Sequence, residues 1–259
     1  MSALSKSLAA RKTPILCYVT DSKSWSRETP SDLWSALMQT IATLTSAGVD
    51  WIQLREKHMP ARDLSHLARE ASRQSAAYPG GERAKPCVIV NDRLDVAITE
   101  RADGVHLGEK GLPVSEAKLF LESRAAEHAA LATVEGSLTT LPTPRPLTAQ
   151  PALVNFLLGV SCHSLEGVAS AARDGASYVF FGPVFATPSK ARMGEPQGIA
   201  RLAEACRSVS IPVLAIGGIT LENAAACVKA GAAGIAAIRL FQDAPDAAEM
   251  VKELRQRTA

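Results

Sequence analysis

Eight short apolar runs, each followed by a stretch of helical character, constrain this chain more than any other feature. The runs are Ile15–Thr20, Trp51–Arg55, Cys87–Asn91, Gly104–Gly108, Phe156–Cys162, Tyr178–Val184, Pro212–Gly218 and Gly234–Leu240. Most are near-continuous apolar blocks, the pattern of parallel strands covered on both faces. Between them, Ser31–Ala47, Ala61–Ala77, Leu165–Asp174 and Gly198–Val209 carry apolar residues three and four apart, the spacing of one helix face. Eight strand–helix units in 259 residues predict a single (β/α)8 TIM barrel over 13–259, since such barrels take about 250 residues. A doubly wound open sheet is the competing architecture, and it announces itself by a glycine-rich phosphate loop after the first strand. Here that strand runs into Tyr18-Val19-Thr20-Asp21-Ser22-Lys23, without a glycine.

One interval breaks the regular spacing. Between Gly108 and Phe156 a helix over Pro113–Ala126 suffices, yet the chain continues through a Pro/Thr/Ala-rich, aperiodic stretch over 127–153. It reads as a mobile insertion between strands four and five, because prolines remove donors and little in it can be buried. Residues 1–12 read as a flexible N-terminus without signal-peptide character.

Charge and cysteine usage narrow the function classes. With 28 basic and 26 acidic residues the net charge is +2, so there is no basic surplus for nucleic acid or an anionic membrane. No apolar run approaches the roughly 18 residues of a membrane span. The five cysteines form no CxxC pair, and Cys17, Cys87 and Cys162 sit inside apolar runs, as a reducing cytoplasm permits. A cytoplasmic enzyme of small molecules is expected; the oligomeric state stays open, a homo-oligomer included.

The C-terminal ends of the strands, where barrel sites lie, collect polar residues. Strand two ends Gln53-Leu54-Arg55-Glu56-Lys57, and alternation puts Gln53, Arg55 and Lys57 on one side. An inward Arg needs an anionic partner, either a ligand or a carboxylate such as Glu56. Strand three closes with Asn91-Asp92, a pair that suits Mg2+ bridging substrate phosphates and equally a helix cap. Strand four carries His106, which fits a hydrogen-bonded core residue or a site residue. On strand five Ser161 and His163 share a face while Ser164 caps the next helix; no GxSxG elbow or triad order accompanies them. After strand six, Thr187, Ser189 and Lys190 follow a Gly-Pro break, and hydroxyls beside an ammonium suit a phosphate. Strand seven adds Gly217-Gly218, where missing side chains let backbone approach an anion, and strand eight ends at Arg239.

In order, QLREK (Gln53–Lys57), VND (Val90–Asp92), DGVHLG (Asp103–Gly108), GVSxH (Gly159–His163), GPVFxTxSK (Gly182–Lys190) and AIGGI (Ala215–Ile219) resemble the thiamine-phosphate synthase family, whose superfamily also holds thiazole tautomerases. The resemblance spans strands one to eight. It implies condensation of 4-amino-5-hydroxymethyl-2-methylpyrimidine diphosphate with a thiazole phosphate, through loss of pyrophosphate. It assigns diphosphate contacts to Arg55, Lys57, Asn91 and Lys190, the pyrimidine to Gln53 and Ser161, Mg2+ to Asp92, and the thiazole phosphate to Thr187, Ser189 and the Gly217-Gly218 amides. Two departures stand out. The position of the family's second metal aspartate holds Gly111, which leaves Glu109 as the substitute ligand, and Arg239 replaces a serine at the phosphate pocket. Three readings follow: the Mg2+-dependent transferase, favoured by Arg55, Lys57, Asn91, Asp92 and Lys190; a tautomerase in which His163 or His106 shuttles a proton; and a barrel that binds phosphate without catalysis.

Overall fold

The computed structural model describes residues 11, 13–25, 29–78, 84–135, 155–187 and 195–259. Its eight strands are β1 (Ile15–Val19), β2 (Trp51–Leu54), β3 (Cys87–Asn91), β4 (Gly104–Leu107), β5 (Leu157–Cys162), β6 (Tyr178–Phe181), β7 (Val213–Ile216) and β8 (Gly234–Ala237). All neighbouring pairs are parallel, and β8 returns to β1 with Ile15 opposite Gly234 and Tyr18 opposite Ala237, closing the barrel. The helices in chain order are α1 (Pro30–Ala47), α2 (Ala61–Ala76), α3 (Leu94–Thr99), α4 (Val114–Glu135), α5 (Leu165–Asp174), α6 (Gly198–Ser208), α7 (Ala224–Lys229), α8 (Arg239–Gln242) and α9 (Ala247–Thr258).

Alternation along the strands splits the apolar residues into two cores. Ile15, Cys17, Val19, Trp51, Ile89, Leu157, Tyr178, Phe180, Leu214 and Ala236 fill the barrel interior. Leu16, Tyr18, Ile52, Val88, Val105, Leu158, Val179 and Ile235 face outward, under the helices. Burial on both faces is why the strand sequences read as unbroken apolar blocks.

Helix ends follow their local chemistry. Thr29 accepts from the Asp32 N–H with Pro30 in the first turn, and Gly48 ends α1 at φ 89°, a conformation that costs glycine nothing. Ser164 caps α5 through the Gly167 N–H, as its sequence position indicates, and Asp246 caps α9 through Ala248 and Glu249.

Three expectations need amendment. Strand eight stops at Ala237, and Arg239 opens α8 instead of ending the strand. The helix after β4 runs to Glu135, nine residues beyond Ala126, so 127–135 is helical; the rest of the 127–153 insertion lies outside the described residues. Within 1–12, Arg11 is described and pairs with Asp50; the others are not described.

The opposite, N-terminal rim is held by a charge cluster. The Asp50 carboxylate accepts from the Leu16 N–H at 2.8 Å and pairs with Arg255 of α9 and with Arg11. Arg255 also donates to the carbonyls of Pro14 and Gly48, the latter at 3.0 Å. All five cysteines are free thiols. No helix among the described residues is long and apolar enough to cross a membrane.

Candidate active site

The C-terminal rim gathers Gln53, Asn91, His106 and Ser161 on four consecutive strands, β2 to β5, with Asn91 directly opposite His106 in register. Two hydrogen-bonded chains organise them, and each has a polarity dictated by its terminal group.

The first chain starts at Asp92. As a carboxylate it only accepts: Oδ1 takes the Gly108 N–H at 2.8 Å and Oδ2 takes the Asn91 Nδ2–H at 2.7 Å. Asn91 must therefore present Oδ1 to Gln53, whose Nε2 donates at 2.7 Å. Gln53 is 2% exposed, and its remaining Oε1 is buried without a partner. An unpaired buried acceptor costs about 1–3 kcal/mol, so Gln53 Oε1 is a place built for a ligand N–H. Asp92 itself sits at φ 60°, a left-handed conformation that Asp and Asn tolerate through their short polar side chains.

The second chain lies in the interior. His106, 1% exposed, places Nε2 2.9 Å from Ser161 Oγ and Nδ1 3.1 Å from the Tyr178 hydroxyl. Burial, followed by the charges of Arg55 and Lys57, pushes its pKa from 6.5 down to about 3, so the ring is neutral at physiological pH. The sign for stability follows. Between the unfolded value of 6.5 and the folded value of about 3 the unfolded chain binds a proton that the folded chain refuses. The contribution is thus complete above 6.5 and is lost on acidification, by up to about 1.4 kcal/mol per pH unit. Urea unfolding of His106→Gln should show a flatter acid slope than the wild type; equal slopes would contradict this.

Cations flank the two chains. Arg55 lies 3.8 Å from Asp21, and Lys57 lies 3.8 Å from Asp92, all four side chains being at least 30% exposed. Exposed pairs at such separation hold weakly, so an incoming polyanion can recruit both cations. The anionic neighbour of Arg55 is Asp21, not Glu56: Glu56 is buried and accepts from the Ser22 backbone and hydroxyl, fixing the loop after β1. The helix-cap reading of Asn91 and Asp92 falls away as well, because α3 has Arg93 at its N-cap and no side-chain cap.

On the far side of the rim, the loop after β6 is tied to β7 by Val184 N–H to Ile216 O (2.9 Å) and Phe185 N–H to Gly217 O (3.0 Å). Gly217 and Gly218 adopt φ 95° and 66°, and a Cβ on either would lie 2.6 Å from Pro183 Cβ or from Ala186 O. Their missing side chains thus admit the β6 loop that carries half-buried Thr187. Ser189 and Lys190 lie outside the described residues, and Arg239 is exposed at the start of α8.

Glu109 does not share the surroundings of Asp92. Its carboxylate accepts the His163 backbone N–H at 3.2 Å, while the His163 ring donates to the Gly182 carbonyl. The residue beside Asp92 is Gly111, where a Cβ would stand 3.7 Å from Asp92 Oδ1. Among the described residues no group of three or more metal-ligating side chains forms. One carboxylate nonetheless fits Mg2+, an ion usually held by one or two carboxylates plus substrate phosphates.

Sequence reasoning missed Asp21, Tyr178 and Gln242, and named Glu56 only as an alternative neighbour of Arg55. Asp21 follows a strand end, the signal that found the others. Tyr178 shares the inward parity of Phe180, so its hydroxyl inside an apolar barrel demanded a partner. Gln242 bonds Tyr18, Asp21 and Ser24 from α8 and left no local trace.

Comparison with known proteins agrees with this geometry. The family model described as Thiamine monophosphate synthase matches residues 17–126 and 145–241, leaving out much of the insertion. A thiamine-phosphate synthase of Methanoculleus marisnigri is 38% identical over 223 residues, covering 85% of this chain and 87% of its own. One of Roseiflexus castenholzii is 37% identical over 211 residues, 82% of this chain and 76% of its own. Among solved structures, thiamine phosphate pyrophosphorylase from Pyrococcus furiosus superimposes with a TM-score of 0.70 at 27% identity, covering 94% of this chain and 95% of that one. By sequence match over most of its length and by its barrel, the chain belongs to the thiamine monophosphate synthase family.

Proposed function

We propose that this protein is a thiamine-phosphate synthase that joins 4-amino-5-hydroxymethyl-2-methylpyrimidine diphosphate to a thiazole phosphate and releases pyrophosphate. The observation that carries the substrate assignment is the unpartnered Gln53 Oε1 on the same rim as Ser161, flanked by Arg55 and Lys57. An aminopyrimidine offers an N–H donor and ring-nitrogen acceptors, so it suits a rim with a buried acceptor and a hydroxyl, and its diphosphate suits the two cations.

The bond changes are simple. The carbon–oxygen bond between the pyrimidine methylene and the diphosphate breaks, its electron pair leaving on oxygen. The thiazole nitrogen lone pair then forms the new carbon–nitrogen bond. No strong base is required, and a neutral His106 is compatible with that. Arg55 and Lys57, with Asn91 and Lys190, would hold the diphosphate and stabilise charge as it develops. Asp92 would hold Mg2+, which when bound neutralises the departing group; Glu109, the substitute ligand, accepts the His163 N–H through one of its two carboxylate oxygens. Thr187, Ser189 and the Gly217-Gly218 turn would receive the thiazole phosphate, Arg239 would add a cation there, and His163 holds the Gly182 carbonyl after β6. The tautomerase reading has no comparable support, because such a substrate has no diphosphate to hold.

Incubation with both heterocycles and Mg2+ should release pyrophosphate, and EDTA should stop it. No release in the presence of Mg2+ would refute the assignment. Thr187→Ala is expected to raise the KM for the thiazole phosphate about tenfold and to leave the pyrimidine KM in place; an unchanged thiazole KM would refute the phosphate placement. A cytoplasmic location and a small-molecule partnership without nucleic acid fit the near-neutral charge balance.

A further inference from the structure

We propose that Tyr178 is a positioning residue: it fixes His106 as the Nε2–H tautomer and so directs the Ser161 hydroxyl hydrogen toward the ligand. The proposal deepens the reading above and relies on it only for the ligand's identity.

The argument is an accounting of hydrogens. Tyr178 is 0% exposed, and among the described interactions its hydroxyl meets one polar atom, His106 Nδ1 at 3.1 Å. If Nδ1 carried the proton, it would donate to the Tyr178 oxygen and leave the phenolic O–H without an acceptor inside an apolar barrel, which costs about 1–3 kcal/mol. If Tyr178 donates to Nδ1, every buried hydrogen is used. The neutral imidazole then carries its proton on Nε2 and donates it to Ser161 Oγ at 2.9 Å. One of the two lone pairs of the Ser161 oxygen is thereby taken from within, and its own hydrogen, which Nε2–H cannot accept, turns toward the half-buried rim. A protonated ring, which would also donate from both nitrogens, is suppressed by the burial and the cations described above.

The strands accommodate this arrangement. A Cβ at Gly159 would lie 2.1 Å from Tyr178 Cζ and 2.4 Å from its oxygen, so only glycine there leaves room for the ring. Trp51 at 4.6 Å and Phe180 at 5.4 Å between ring centroids confine it further. The two chains then present to the rim the Gln53 Oε1 acceptor and the Ser161 hydroxyl hydrogen. The ligand group facing that hydrogen must therefore be an acceptor such as a ring nitrogen.

The test uses the full-length, 15N-labelled protein without substrate. Two-bond proton–nitrogen correlation reports which ring nitrogen bears hydrogen, with His106→Gln supplying the assignment. At neutral pH the wild type is expected to show Nε2–H only; an appreciable Nδ1–H population overturns the proposal even if the protein turns over normally. Because no turnover enters, this result stands apart from whether the synthase reading holds. Tyr178→Phe should mix in the Nδ1–H tautomer and raise the KM for the pyrimidine diphosphate about tenfold, with the thiazole-phosphate KM unchanged. In a Ser161→Ala background the same substitution should add nothing to the pyrimidine KM. An equal rise in both KM values, or a further rise in that background, would show a merely structural role. If Tyr178→Phe fails to fold, the wild-type spectrum alone decides.

Discussion

Asp92→Asn is expected to lower pyrophosphate release by about 10³-fold, or about 4 kcal/mol of barrier. Asparagine tolerates the φ of 60° that most residues resist, and its Oδ1 can still accept from Gly108, so the backbone should persist. Two things change. The carboxylate proposed to hold Mg2+ becomes neutral. The side-chain amide also points a donor at Asn91, which forces Asn91 and then Gln53 to turn over. The buried acceptor at Gln53 is replaced by a donor, which repels the amino group of the pyrimidine. The substitution should thus raise the pyrimidine KM as well as lower kcat, whereas loss of metal alone would act chiefly on kcat. Steady-state pyrophosphate release with each substrate varied separately measures both. Activity within tenfold of the wild type would remove Asp92 from the proposed role.

The second large effect falls at the opposite rim and concerns folding only. Asp50→Ala is expected to destabilise the protein by about 3 kcal/mol, with the melting midpoint lowered by roughly 9 °C. Both partners are mostly buried, with side-chain exposures of 13% for Asp50 and 15% for Arg255. Removing the carboxylate leaves a guanidinium without its counter-charge and the Leu16 N–H without its acceptor, and uncompensated buried groups are where single substitutions cost most. Calorimetry would check it, and the KM values for both substrates should stay as they are. A shift under about 2 °C would mean that water replaces the lost oxygen at little cost.

How far the sequence alone reaches depends on whether a signal is local. All eight strands were legible because parallel strands buried on two faces leave continuous apolar runs. Their C-terminal bounds were overrun by one to three residues in six of the eight, with β3 and β5 ending where expected, since rim residues such as Gly108, Pro183 and Gly217 continue the apolar pattern after the hydrogen-bonded ladder has ended. Gln53, Asn91, Asp92, His106 and Ser161 were legible because strand ends in a barrel must converge. The partnerships that give them meaning were not, since each joins residues of different strand–helix units that are distant in sequence: Asp21 with Arg55, Glu109 with His163, Tyr178 with His106. The Gly217-Gly218 pair illustrates the same limit, because its flexibility was readable while the neighbouring loop that fills the space was not. The helix past Ala126 was obscured by an alanine-rich stretch with little amphipathic contrast, where periodicity is a weak guide.

The contact between Arg255 and the Pro14 carbonyl spans 241 positions, and the seam it clasps joins the first strand to the last. During synthesis β1 can therefore pair with β2 early, but it waits for its β8 partner until the chain has been made through residue 237. The clasp from α9 forms later still, once Arg255 has been made. Truncation before Arg255 should leave Asp50 and the start of β1 without it and raise chaperone dependence.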